Sequence, residues 1–208
     1  MLRTTLFCAA LLWAAWAGAA WLTQDFQAWT AEGVRRLQVA RAPVPAPAVT
    51  VEGPDGAARD LRALLARGDA TVVEFIYTRC ETVCLALGGV FQQMQAALRD
   101  APAGDRVQLL SISFDPVRDG RAELAAYAKR MHADPEAWRF VRVPGESDLR
   151  QLLAAFQVVV VPTGGGDFEH NAALLVVDGQ GRLVRVFDIG EQQLALDYAL
   201  HLAQEGAR

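Results

Sequence analysis

The chain has 208 residues, 52% of them hydrophobic, which is enough for one full core plus an appendage. A net charge of -4 and a pI near 5.4, with the basic residues scattered, leave no electrostatic footprint for nucleic acid. Three cysteines are too few for a disulfide scaffold, so a close pair among them serves chemistry or packing.

Leu6 to Leu22 runs 17 residues without a charge. That is the short limit for a spanning helix and slightly long for a signal-peptide core. Trp13, Trp16 and Trp21 are amphipathic, and Trp21 falls where an interfacial anchor sits. Ala17-Gly18-Ala19 also suits a cleavage site. Residues 1–23 are therefore expected to be a membrane anchor or signal segment, and both place the remainder outside the cytoplasm. Arg3 before the span is opposed by Arg35, Arg36 and Arg41 beyond it, so charge bias gives no orientation. Cys8 lies inside the apolar run and reads as a bystander. In 24–48, Phe26, Trp29, Val34 and Leu37 recur at roughly helical steps. The alternating prolines Pro43, Pro45 and Pro47 then favour an extended spacer. This stretch is expected to be a juxtamembrane segment and linker, with the globular domain at 49–208.

From Val49 onward strands and helices alternate. Val49-Thr50-Val51 and the turn Gly53-Pro54-Asp55-Gly56 suggest a short hairpin, and Leu61, Leu64 and Leu65 a short helix. Thr71 to Tyr77 is a β-branched and aromatic run that reads as a buried strand, and Val83, Leu87, Val90, Phe91, Met94 and Leu98 then recur at helical steps. Val107 to Phe114 is a second buried strand. Asp119 is placed to cap the helix carrying Leu124 and Tyr127. Trp138 to Val143 reads as a third strand, and Ser147 is placed to cap a helix through Leu149, Leu152 and Phe156. Val158 to Val161 is a further strand, followed by a loop over Pro162 to Asp167. Asn171–Val177 and Arg182–Phe187 flank the hairpin turn Asp178-Gly179-Gln180-Gly181. Glu191 to Gln204 closes the chain as a helix. The pattern predicts an α/β fold, a mixed central sheet flanked by helices.

Cys80 and Cys84 sit where the Thr71–Tyr77 strand turns into the next helix. A helix N-terminus favours thiolate over thiol, and i, i+4 spacing keeps the two sulfurs neighbours. His170 stands 86 residues after Cys84, in a glycine-rich loop before a strand. Two thiolates and an imidazole form a soft three-ligand set that suits copper, whereas structural zinc takes four ligands and no fourth lies nearby. Gly164-Gly165-Gly166 reads as a hinge carrying His170. His132 and His201 read as surface histidines. Asp115 and Asp119 read as a strand end and a helix cap, with Asp115 placed to orient the cysteine loop.

Phe75-Ile76-Tyr77-Thr78-Arg79-Cys80-Glu81-Thr82-Val83-Cys84 resembles the Sco/SenC family. So do Ser113-Phe114-Asp115-Pro116-Val117-Arg118-Asp119 and Gly166-Asp167-Phe168-Glu169-His170-Asn171. The resemblance covers about 49–202, and its three motifs fall in the family's order. It implies a thioredoxin-like fold, in the peroxiredoxin-like variant, on a membrane anchor. It also implies copper held by Cys80, Cys84 and His170 and delivered to the binuclear copper centre of cytochrome c oxidase, whose copper-bearing subunit is the implied partner. The chain departs from the family where Glu81 and Leu85 replace prolines that sharpen the turn.

Two other chemistries compete with metal delivery. In a thiol:disulfide reductase, Cys80, as the more exposed thiol, attacks and Cys84 resolves the mixed disulfide. That role has no required place for His170. A peroxidatic thiol needs a nearby Thr or Ser and a stabilising Arg, which Thr78 and Arg79 satisfy only weakly.

Overall fold

The computed structural model describes residues 2–80 and 83–206, with the backbone alone for residues 2 and 83–86. Helix α1 (Leu2–Leu22) is followed by α2 (Ala31–Arg41), β1 (Val44–Pro45), β2 (Thr50–Glu52), β3 (Ala58–Asp60) and α3 (Leu61–Leu65). The centre of the chain forms β4 (Ala70–Ile76), α4 (Val83–Asp100), β5 (Val107–Ser113), α5 (Arg121–Arg130), β6 (Trp138–Arg142) and α6 (Glu146–Ala155). The last part forms β7 (Val160–Gly164), β8 (Asp167–His170), β9 (Leu174–Asp178), β10 (Arg182–Phe187) and α7 (Gln192–Glu205).

Eight strands make one mixed sheet in the order β1-β10-β9-β4-β5-β6-β2-β3. The β4–β5 and β5–β6 pairs are parallel, as their helical crossovers require, and the pairs on either side are antiparallel. β4 is central, and every one of its residues is buried. Its sequence is apolar on both faces because both are covered. On one face Phe75 meets Phe156 edge-on at 6.2 Å between ring centroids. On the other, Glu74 lies beside Ser111 of β5, next to Trp138, which packs on Phe91 of α4 at 5.4 Å.

The stretch 42–48, expected to be an extended spacer, is packed. Val44 and Pro45 pair with Leu183 and Arg182, and Ala46 is fully buried. α2 lies against β10, burying Val39, and its Arg35 donates from Nη2 to the Phe156 carbonyl at 2.8 Å. Alternating prolines forbid helix, but they are compatible with an edge strand. A chain begun at Ala42 is thus expected to be about 3 kcal/mol less stable than one begun at Gln24, from the apolar area and hydrogen bond lost with α2. Urea unfolding of the two chains measures this, and equal midpoints would show that α2 contributes nothing.

Three further expectations shift. The residue at the N-cap of α5 is Gly120 rather than Asp119, and that of α6 is Gly145 rather than Ser147. Asp119 is drawn inward instead, as described below. The Pro162–Asp167 loop is part of a two-stranded hairpin of β7 and β8. Its turn is made by Gly164, Gly165 and Gly166 at φ +96°, +62° and +92°, a region that only glycine enters at little cost. Between α1 and α2 the chain reverses through Gln24, Asp25 and Phe26, all with positive φ.

Candidate metal centre

The turn that leads from β4 to Cys80 is fixed at Thr78. Its N–H donates to Asp119 Oδ2 at 2.9 Å, its hydroxyl to Asp119 Oδ1 at 2.7 Å, and its carbonyl accepts from Arg130 at 3.1 Å. Asp119 is fully buried, and its Oδ2 also accepts from the Ser113 hydroxyl at 2.6 Å. One carboxylate thus ties the ends of β4 and β5 together and sets the direction in which the cysteine turn leaves the sheet. Asp115, the residue expected to do this, is ion-paired with Arg118 instead.

Cys80 follows, with its N–H bonded to the Tyr77 carbonyl at 3.2 Å. Cys80 is 5% exposed; its expected greater exposure than Cys84 turns on a side chain that lies outside the described residues. Tyr77, three residues earlier, is buried as well, with its ring against Phe114 and Phe168. Burial is the main cause that pushes the Tyr77 hydroxyl up to about 12. Beside Cys80 an open depression of about 700 Å³ is lined by Thr78, Arg79, Glu123, Ala126, Tyr127 and Arg130. Cys84 lies in the first turn of α4, and its side chain is outside the described residues, as are Glu81 and Thr82.

His170 is half-buried at the end of β8. Its ring stands 5.1 Å from that of Phe114, which follows β5. The hairpin is seated by Phe168, whose ring meets Tyr77 at 5.3 Å and Phe114 at 5.5 Å and is covered by the Arg118 guanidinium at 5.0 Å. Gly166 lies beneath that guanidinium, and its φ of +92° is the reason a side chain there would be strained. Burial lowers the pKa of His170, which favours the neutral imidazole that a metal requires.

The structure therefore gathers Cys80 and His170 around one aromatic group of Tyr77, Phe114 and Phe168. His132 and His201 are exposed elsewhere, His201 being 3.5 Å from Glu205. Tyr77 and Asp119 were not legible as site residues. Tyr77 reads as one more apolar strand position, and Asp119 carries the ordinary signal of a helix cap.

A cysteine turn at the end of a central parallel strand, with the β7–β8 hairpin packed beside it, is the arrangement of a thioredoxin-like domain. The SCO1/SenC family pattern matches residues 55–201, and the chain belongs to that family. The SCO1 protein homolog of Bacillus subtilis (strain 168) is 24% identical over 141 residues, spanning 67% of this chain and 71% of its own length. The fold is shared with BsSco, whose structure is described as identifying a disulfide switch in a member of the Sco family of cytochrome c oxidase assembly proteins. The TM-score is 0.66 at 20% identity, over 78% of this chain and 95% of that one. Bradyrhizobium japonicum ScoI, solved with copper bound, gives a TM-score of 0.59 at 25% identity over 74% of this chain and 99% of its own.

Proposed function

We propose that this protein is a copper metallochaperone that binds the metal through Cys80, Cys84 and His170. It delivers copper to the copper-bearing subunit of cytochrome c oxidase during assembly of the binuclear copper centre. The observation that carries this reading is the shared aromatic group that draws the Cys80 turn and the His170 hairpin together. The donor chemistry agrees, because thiolate suits Cu(I) and an added imidazole lets the site hold Cu(II) as well. Copper in ScoI and the oxidase-assembly role of the BsSco family support the cargo and the recipient.

Three protein ligands leave one side of the metal open for a recipient's ligand. Transfer can then run by exchange, each incoming donor replacing one of the three. Binding requires deprotonated sulfur, so it releases protons and weakens as pH falls. Residues Arg3–Leu22 form a helix long and apolar enough to cross a membrane, with 6% of its most apolar stretch buried. It anchors the protein with its globular domain outside the cytoplasm.

A second reading, thiol:disulfide exchange on a partner's copper-ligand cysteines, is favoured by the paired thiols and by the disulfide switch described for BsSco. Anaerobic copper titration of the reduced full chain in detergent, beside Cys84→Ser and His170→Ala, separates the two. One tight equivalent is expected, with affinity falling at least about a hundredfold in each variant, since even outer partners of ligands are worth up to that much. Thiol–disulfide exchange should survive in His170→Ala. Absence of tight binding in the wild type, with ready cycling of Cys80 and Cys84, would overturn the copper reading.

A further inference from the structure

We propose that the cavity at the outer edge of β6 binds a small organic acid, with Arg67 and Arg139 holding its carboxylate and the cavity walls its apolar group. The inference does not depend on the copper reading, because the cavity lies at the other end of the sheet. The cysteine turn follows the last residue of β4, whereas the cavity opens beside Trp138, the first residue of β6. Both strands run parallel to β5, so the two places face opposite ends of the sheet.

The cavity exists because β2 leaves β6 early. The two strands pair at Glu52 and Arg142, and the chain then turns away through Gly53 and Pro54. A proline has no N–H with which to continue the ladder. Residues Trp138 to Val141 are left beside a space of about 280 Å³, whose walls also include Leu64 of α3 and Ala128, Ala133 and Pro135. That volume is slightly under the range of drug-sized ligand sites, which leaves room for one ring or branched chain with its acid group.

The charge of the walls points to an anion. Arg59, Arg67 and Arg139 line the space beside a single carboxylate, that of Asp55. Asp55 is committed to Arg59, whose Nη1 donates to it at 2.9 Å. Arg139 donates to Gln108 Oε1 at 2.5 Å, and its carboxylate partner among the described residues is exposed Glu136 at 3.9 Å. Arg67 takes part in no ion pair among the described residues. It shares with Arg139 the wall of a neighbouring depression, which Asp105 and Glu136 also line. Burial, and after it the charge of Arg67, lowers the pKa of Arg139, the direction expected of two guanidiniums held close. Arginine does not shed its proton, so an anion between the two relieves their repulsion. The planar guanidinium fork matches a carboxylate, and the walls of Leu64, Phe140 and Val141 select one that carries an apolar group.

The test uses the full chain in an uncharged detergent and follows the amide resonances of Leu64, Ala133 and Phe140 during titration. Benzoate supplies ring and charge, benzamide the ring alone, and acetate the charge alone. Benzoate is expected to bind at least about tenfold more tightly than either of the others, and more weakly as salt is raised. Arg67→Gln, which alters an exposed side chain, and Arg139→Gln should each weaken benzoate about tenfold and leave benzamide unchanged. A further arm, N-acetylglycylphenylalanine, separates two sources of the same chemistry. Binding about tenfold tighter than that of benzoate would assign the pocket to a partner's chain end, and weaker or equal binding to a free acid. Equal affinities for benzoate and benzamide would overturn the proposal, as would benzoate binding untouched by both substitutions. So would shifts confined to Thr78 and Arg130, since arginines also flank the depression beside Cys80.

Discussion

Replacing Glu74 by glutamine is expected to flatten the pH dependence of stability between pH 5 and pH 8. Glu74 is fully buried on β4, where desolvation pushes its carboxyl up to about 8 despite the hydrogen bond from Ser111 at 2.5 Å. Ser111 in turn accepts from the Trp138 indole at 2.8 Å, and Oε2 of Glu74 has no bonding partner among the described residues. The acid therefore stays protonated in the folded chain at pH 7. Below its ordinary value of 4.5 both folded and unfolded chains carry the proton, and Glu74 contributes no pH dependence. Above it the unfolded chain releases the proton while the folded chain keeps it, so stability falls as pH rises until the folded carboxyl also ionises near 8. The slope is at most about 1.4 kcal/mol per pH unit, giving roughly 4 kcal/mol between pH 5 and 8. The glutamine variant carries no such term, although its amide adds a constant offset. Urea unfolding of both proteins at the two pH values should show the gap between them changing by that amount in favour of the variant at pH 8. Parallel curves would mean that Glu74 ionises normally in the fold.

The second large effect is expected at Asp119. In Asp119→Ala the Thr78 N–H, the Thr78 hydroxyl and the Ser113 hydroxyl lose their common acceptor in a buried place. Each stranded donor costs about 1–3 kcal/mol, so a loss of at least about 3 kcal/mol is expected. Asp115→Ala, which removes an ion pair with Arg118, serves as the comparison and should cost about 1 kcal/mol. The site should respond too: with its turn released, Cys80 is expected to react with iodoacetamide about tenfold faster in Asp119→Ala than in wild type, a change in local opening of about 1.4 kcal/mol. If Asp119→Ala proves no less stable than Asp115→Ala, the carboxylate is not what fixes the cysteine turn.

Much of this architecture was legible because its signals are local. The β-branched run at Thr71–Tyr77 and the three- and four-residue steps after Val83 announced β4 and α4, and both formed within a residue or two of the expected bounds. The three motifs, at 75–84, 113–119 and 166–171, announced the family on their own. What escaped was decided by distant partners. Asp119 stands two residues before a helix and carries a capping side chain, yet the ends of β4 and β5 offer it three donors that no local pattern displays. The hairpin of β7 and β8 was hidden by Pro162 and three glycines, which read as a loop until Val160 and Val161 find His170 and Glu169 opposite. Likewise Val39 and Ala46 look like linker residues until β10 supplies the surface that buries them.

Thr78 is gripped from both sides, its N–H by Asp119 and its carbonyl by Arg130. The backbone just ahead of Cys80 therefore gives up its conformational freedom when the chain folds and has little left to lose later. Ordering a residue costs on the order of 1–2 kcal/mol, and here that cost falls within the stability of the domain. For the copper site proposed above, the Cys80 end is thus ordered before an ion arrives, so the entropy of capture would fall chiefly on the other ligands.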